Sequence, residues 1–231
     1  MSICWKTNAD IFRKNMRFHM KAMVATPCTT GKVYAEYTSC LVDSIKLCAL
    51  NGIDLCPVFL GNESIIQIAR NDLINIAYHA GVDMIWIDYD MTWNPEWIVK
   101  LLSSKEDVVA GTARKKTDLE EAYAVKLNDF TLHNNGYMKC QGIGTAFMKM
   151  SSRAVRSVCE TSEPFTHHGK ECKAVFDCKI VDGDFRSEDI VLCDRLKSLG
   201  FDIWLDPQMT CGHIGSKHYI GDIKQFIERI K

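Results

Sequence analysis

AGVDMIWIDYDMTWNPEW, residues 80–97, is a run of apolar residues that stops at two aspartates one residue apart, Asp88 and Asp90. DMIWID reads as a short buried strand, placed directly after a glycine, Gly81, that ends a helical pattern. Asn94 followed by Pro95 is a cap and first-turn pair that opens a helix over 95–103. DVVAG, starting at Asp107, is the next strand. Strand, helix and strand joined by short connections is the grammar of a parallel sheet covered by helices. In such sheets ligands bind beyond the carboxyl ends of the strands, which is where Asp88 and Asp90 leave the run.

The same alternation extends upstream. KAMVATP is a strand ending at Pro27, and SCLVDSIKLCALNG puts Leu41, Ile45, Cys48 and Ala49 on one helical face before Asn51-Gly52. DLCPVFLG reads as a strand that Pro57 places at an edge or a bulge. Asn62 is the expected cap of the helix ESIIQIARNDLINIAYHAG. After residue 115 the grammar changes to shorter, mixed strands: EAYAVKL, YMKCQGIG and GTAFMKM, then a helix near 151–160. SEPFTHHGKECK, residues 162–173, looks loop-like. SEDIVLCDRLKSLG is a helix capped by Ser187 and ended by Gly200, FDIWLDP is a strand, and the tail spaces Ile220, Ile223, Phe226, Ile227 and Ile230 as one helical face. The expectation is an α/β fold with a mainly parallel central sheet, helices on both faces and a mixed C-terminal half. Residues 1–20 form a basic extension, read either as packed on its own domain or as an amphipathic helix for a partner or anionic surface. Residues 21–231 are one domain, with a nucleotide-binding half to 115 and, from 116, an elaboration that completes a site.

The 231 residues are 47% hydrophobic, enough for a sizeable core, and the formal charge of -1 gives no general attraction to nucleic acid or anionic membrane. The 11 cysteines contain no C-x-x-C, and Cys40, Cys48, Cys56 and Cys193 fall inside apolar-periodic runs. Buried free thiols in a reducing compartment follow. No run approaches the ~20 apolar residues a bilayer crossing needs, and the N-terminus lacks a secretory pattern. The expected location is the cytoplasm.

Two carboxylates at a strand end offer hard oxygen ligands for Mn²⁺ or Mg²⁺, an ion that usually keeps company with phosphate oxygens. No Gly-rich phosphate loop follows the first strand, which disfavours a dinucleotide or P-loop site. D-x-D alone is weak, and the chain has a second pair, Asp182 and Asp184 in VDGDF, which reads as a tight turn.

Taken in order, the strand with its D-x-D, the Asn-Pro helix and DVVAG resemble a GT-A-fold, nucleotide-sugar-dependent glycosyltransferase. The chain is similar to the compact family-2-like enzymes of bacteria, phages and large viruses. ARN (Ala69–Asn71), SED (Ser187–Asp189) and WLDPQMTCGHIG agree with that family's elements in order and spacing, over roughly residues 21–216. The resemblance implies transfer of a sugar from a UDP- or GDP-sugar to a hydroxyl acceptor, with Mn²⁺ or Mg²⁺ as cofactor. The acceptor is a glycan, lipid-linked sugar, protein or hydroxymethylated DNA base.

Asp90 is the expected direct metal ligand and Asp88 a contact to the ribose or to a metal-bound water. His213 adds an imidazole ligand or is a capping or surface histidine. Asp189 is the candidate base of an inverting reaction, with Glu188 second, although acids in a first helical turn also serve the helix dipole. Retaining enzymes share the D-x-D half. Arg70 contacts the donor or forms a surface salt bridge. Arg114, Lys115 and Lys116 reach diphosphate or sugar, or form a solvated turn. Thr26 and Pro27 stand where the nucleobase sits in the resembled family, and Gly144 lies in a small-residue stretch, GIGTAF, near the sugar. His167 and His168 are acceptor contacts at most. Two other functions stay open: a nucleotidyltransferase using the same half-fold and metal, and a non-catalytic nucleotide-sugar-binding module.

Overall fold

The computed structural model describes residues 18–118 and 120–230; most of the basic N-terminal extension, with its amphipathic-helix reading, lies outside the described residues. The first half runs β1 (Met20–Cys28), α1 (Ala35–Leu50), β2 (Ile53–Gly61), α2 (Ile66–Ala80), β3 (Asp83–Ile87), β4 (Met91–Thr92), α3 (Glu96–Ser103) and β5 (Val108–Ala113). The second half continues with β6 (Val125–Leu132), β7 (Met138–Ile143), β8 (Phe147–Met150), α4 (Ser152–Glu160), β9 (Pro164–His167), β10 (Lys170–Lys173), β11 (Lys179–Val181), β12 (Asp184–Arg186), α5 (Glu188–Ser198), β13 (Ile203–Ile214), β14 (His218–Tyr219) and α6 (Ile223–Ile230).

The main sheet has the order β2-β1-β3-β8-β5-β13-β7-β6, with β4 and β14 attached to β13. β2, β1 and β3 are parallel neighbours, and β5 is parallel to β13. β8 is antiparallel to both β3 and β5 and separates them. Because β8 runs backwards, its first residue, Phe147, pairs with the last residue of β3, Ile87. The segment just before β8 is thereby delivered to the carboxyl end of β3.

Strand alternation sorts the core into two layers. Met23, Ala25, Met84, Trp86, Val108 and Ala110 face α2, α4, α5 and α6, which contribute Leu73, Val155, Leu192 and Ile223. Ala22, Val24, Ile85, Ile87 and Val109 face α1 and α3, which contribute Tyr37, Leu41, Ile98 and Leu101. The fold is a Rossmann-like α/β sandwich with a mainly parallel sheet, as the sequence pattern implies.

Pro57 lies in β2, the edge strand, and all ten described cysteines are free thiols, although Cys56 is exposed rather than buried. Asp182, at φ 53, and Gly183, at φ 86, form the tight turn between β11 and β12. Several local expectations need correction. Asn62 does not cap α2; it sits in a left-handed turn at φ 64, and Glu63 Oε1 takes the Ile65 N–H instead at 2.9 Å. Ser187 precedes α5 in extended backbone, but its hydroxyl makes no capping bond. Ile220 and Ile230 are exposed, so the buried face of α6 is narrower than its spacing implies.

Residues 164–173 are not a loop but the β9–β10 hairpin. α2 holds the segment that follows. The Asn71 side chain accepts from Phe176 N at 2.7 Å and donates to Phe176 O at 3.0 Å, as a strand neighbour would. Asn75 does the same for Lys173, at 3.1 Å and 3.4 Å. The strand expected at 201–207 runs on to Ile214, because Pro207 falls where the pairing of β13 with β5 shifts register and no ladder N–H is needed. Among the described residues, no helix is long and apolar enough to cross a membrane.

Candidate functional site

Past Ile87, Asp88 extends the β3–β8 ladder by donating its N–H to Ala146 O at 3.1 Å. A tight turn closes with Met91 N on Asp88 O at 3.1 Å, and β4 then pairs with β13 so that Met91 lies opposite His213. Ile214 N donates to Asp90 O at 2.8 Å. The long β13 therefore carries His213 from the far end of the sheet to the D-x-D turn.

Asp90 is 8% exposed and its carboxylate is bonded by Lys116 Nζ, with His213 Nε2 at 3.6 Å from the same oxygen, Oδ2. Burial alone would push the Asp90 carboxyl up, but the bonds from His213 and Lys116 outweigh it and hold it below the usual carboxylate range. His213 Nδ1 is 3.0 Å from Arg114 O, an acceptor only, so that nitrogen carries the proton. With Nδ1 so engaged, Nε2 is the nitrogen left to face Asp90, the orientation a metal-ligating histidine needs.

Arg70 ties the other acids together. Its side chain, 4% exposed, projects from α2 against the edge-to-face pair of Trp86 and Phe176, whose centroids lie 5.6 Å and 5.7 Å from Cζ and 5.2 Å from each other. Nη2 donates to Asp88 Oδ1 at 3.2 Å; Glu188 Oε1 is 3.7 Å from Nε, and Asp189 Oδ1 is 3.9 Å from Nη2. Nε and Nη1 are buried without a hydrogen-bond partner among the described residues. The surface-salt-bridge alternative is therefore wrong: Arg70 is a buried hub joining the strand-end acid to both acids of α5. Burial works against the guanidinium charge, but Asp88, Asp189 and Glu188 more than offset that and raise its pKa. One cation does not neutralise three carboxylates. Burial leads in raising the pKa of Asp88 and of Glu188, with Asp189 adding repulsion and Arg70 acting in the opposite direction in each case. Their sign is opposite to that of Asp90: stability from Asp88 and Glu188 is lost as pH climbs past the ordinary carboxylate range, and stability from Asp90 is lost as pH falls through it.

On the outer side, Asp189 Oδ1 accepts from the Thr145 hydroxyl at 2.5 Å. Thr145 is fully buried in the stretch before β8 and was not singled out by the sequence reading; it fixes the carboxylate that the sequence proposes as base. A Cβ at Gly144 would stand 3.3 Å from Ala124 Cβ and 3.7 Å from Asp189 Oδ2, so glycine keeps that approach open. Gly144, Asp189, Ser187, Lys115 and Lys126 line a cavity of 290 Å³.

The remaining candidates divide. Lys115 lines this cavity and also a smaller one that includes His213 and Gly144. Arg114 acts through its carbonyl, while its guanidinium turns to Ile220 O at 3.4 Å. The Thr26 hydroxyl is spent on Tyr37 OH at 2.5 Å, and Pro27 lies beside it at the end of β1. His167 is not drawn into the acidic cluster; its Nδ1 lies 3.0 Å from Asp72 on α2. That contact belongs to a concavity of 550 Å³ between α2 and the β9–β10 hairpin, which shares no lining residue with the acidic cluster. A pair missed by the sequence reading is Tyr34 and Tyr89, whose rings are 7° from parallel with centroids 6.1 Å apart. Tyr89 is the middle residue of the D-x-D, and Tyr34 comes from the start of α1.

No group of three or more His, Cys, Asp or Glu side chains is arranged to hold a metal ion among the described residues. The donors present, Asp90 Oδ2 and His213 Nε2, are spaced to share one octahedral ion, whose adjacent ligands stand about 3 Å apart. Such a set fits Mg²⁺ or Mn²⁺, which take one or two protein ligands and complete their shell with water and phosphate. It does not fit a closed structural cage.

The comparisons point to the fold. No protein-family profile and no curated protein matches the chain. Among solved structures it is similar to A197 from STIV, with 14% identity and a TM-score of 0.55, covering 87% of this chain and 93% of that one. This likeness shows a shared fold over nearly the whole length. A protein described as a glucose-1-phosphate thymidylyltransferase from Bacillus anthracis, crystallised with sucrose, matches with 9% identity and a TM-score of 0.36, over 62% of this chain and 76% of that one. A score that low carries no argument about either fold or function.

Proposed function

We propose that the protein is a GT-A-fold glycosyltransferase that moves a sugar from a nucleoside-diphosphate sugar to a hydroxyl acceptor with inversion. The observation that carries this reading is the single buried arginine, Arg70, that joins the D-x-D acid Asp88 to Glu188 and Asp189. Donor-side and acceptor-side carboxylates are thereby held in one rigid frame, which in-line displacement requires.

Each residue has a task in this scheme. Asp90 and His213 would hold Mn²⁺ or Mg²⁺, which would supply positive charge beside the leaving diphosphate. Asp88, fixed by Arg70, takes the ribose or an ion-bound water. Asp189 accepts the acceptor's proton; Thr145 aims its Oδ1, leaving Oδ2 toward the cavity beside Gly144. Lys115 stands over that cavity and contributes positive charge near the transferred sugar.

Tyr34 and Tyr89 supply a place for the base. Two rings held parallel offer aromatic faces to a planar heterocycle, and stacking on one aromatic ring contributes about 1–3 kcal/mol. Tyr89→Ala should weaken UDP or GDP binding by about 5- to 150-fold, measured by calorimetry, with no change in melting temperature. Unchanged affinity places the base elsewhere.

The central test is Asp90→Asn. In wild type, a UDP- or GDP-sugar should raise the melting temperature more with Mn²⁺ than without it, since a ligand that binds only the native state stabilises by mass action. The asparagine variant should lose most of that metal-dependent increment while keeping its fold. A variant that binds Mn²⁺ and donor like wild type removes Asp90 from the metal site.

A further inference from the structure

We propose that Lys116 is the built-in counter-ion of Asp90, and that it makes divalent-ion binding conditional on the donor's diphosphate. The inference rests on the reading of Asp90 and His213 as the metal ligands.

Lys116 Nζ bonds Asp90 Oδ2, which is also the oxygen nearest to His213 Nε2. An ion shared by Asp90 and His213 needs that same oxygen. Lysine and ion therefore compete for one ligand atom rather than sitting side by side. The contact is shaped by the fold. The lysine stem lies over Gly215, where a Cβ would come 3.0 Å from Lys116 Cδ and 3.3 Å from the Tyr219 ring. A side chain at 215 would press on the stem and make it give by a few tenths of an ångström. The lysine side chain is 34% exposed and the Asp90 side chain 11%, so the pair is partly withdrawn from water and its attraction exceeds that of a surface pair.

A dication arriving alone meets this ammonium and must displace it into solvent, losing a charge-assisted hydrogen bond. A diphosphate changes the balance. It brings negative charge to the same turn, offers the flexible ammonium a new partner within reach, and supplies the ion's remaining ligands. Lys116 then passes from Asp90 to phosphate as the ion takes Oδ2. Two ligands that relieve the same contact bind with positive, reciprocal coupling, typically 5–150-fold. The consequence is an order of assembly: the protein takes ion and donor together and does not hold a loaded metal site beforehand.

Mn²⁺ binding to the full chain, followed through the electron paramagnetic resonance of the free ion, tests this directly. The probes are Mn²⁺ alone and Mn²⁺ with UDP, GDP or inorganic diphosphate, corrected by protein-free titrations. Wild type should bind Mn²⁺ weakly alone and on the order of tenfold more tightly with a diphosphate. Lys116→Met should bind Mn²⁺ alone about tenfold more tightly than wild type, and its coupling to diphosphate should shrink. Lys116→Gln, which keeps a polar head without charge, should behave like Lys116→Met and guards against a packing effect of methionine. Equal affinity of wild type and both variants for Mn²⁺ alone overturns the competition while leaving the metal site standing. If no form binds Mn²⁺ with or without a diphosphate, the metal assignment itself falls, and this inference with it.

Discussion

Asp189→Asn should slow sugar transfer by about 10²–10⁴-fold, the usual contribution of a positioned general base. The attacking hydroxyl must shed its proton as the new bond forms, and the asparagine amide cannot take it. The substitution is nearly isosteric and keeps an oxygen for the Thr145 hydroxyl, so the 2.5 Å hydrogen bond that aims the side chain survives. Donor affinity and melting temperature should therefore change little while kcat falls. Stability provides a second readout. Asp189 is one of three acids around a single guanidinium, so neutralising it should be neutral or slightly stabilising. Unaltered transfer reduces Asp189 to a helix-start residue, and a collapse of stability makes its role structural. In either event the inverting assignment loses its support.

Arg70→Met should cost the fold about 3–5 kcal/mol, the range for removing one partner from a buried charged set. For a chain of this length that is a drop in melting temperature on the order of 10 °C. Methionine keeps an apolar stem packed against Trp86 and Phe176, so the loss reports charge rather than a cavity. The sign with pH follows from the acids left behind. Without the guanidinium, Asp88, Glu188 and Asp189 repel one another when ionised and are relieved when protonated. The deficit relative to wild type should therefore be largest at pH 8 and shrink toward pH 5. Adding Glu188→Gln should recover part of it. A variant as stable as wild type across that range would mean that the acids are solvated and that Arg70 is not their hub.

Much of this arrangement was written into local patterns. The strand ending in Asp88 and Asp90, the helices on either side of it and Gly81, which ends α2 in a left-handed conformation at φ 64, follow from periodicity and capping chemistry alone. The features that escaped depend on partners distant in sequence. Pro207 looks like the end of a strand, and only the register shift against β5 lets β13 run on and bring His213 to Asp90. Asn71 and Asn75 look like ordinary helix residues until residues 173–176 fold back on them. Arg70 reads as a helical cation on any face; its burial depends on the touching rings of Trp86 and of Phe176, the latter 106 residues later in the chain. Tyr34 and Tyr89 become a pair only when the start of α1 meets the D-x-D turn. Residue type announces the chemistry, but pairing between remote segments decides which side chains share a site.

The backwards strand β8 has a consequence for how the chain acquires its shape. β3 and β5 do not touch as neighbours; residues 147–150 lie between them and pair with both. A nascent chain that has emerged only as far as Ala113 holds β1, β2 and β3 as a continuous patch, but β5 has no ladder to join. Two open edges then wait for a segment about 35 residues further on, and the loop that closes carries an entropic cost before any contact rewards it. The first half by itself thus leaves strand edges unpaired and is not a finished module. The same strand carries Thr145 to the cleft, where it awaits Asp189 from α5, so the site closes only when the later elements are in place.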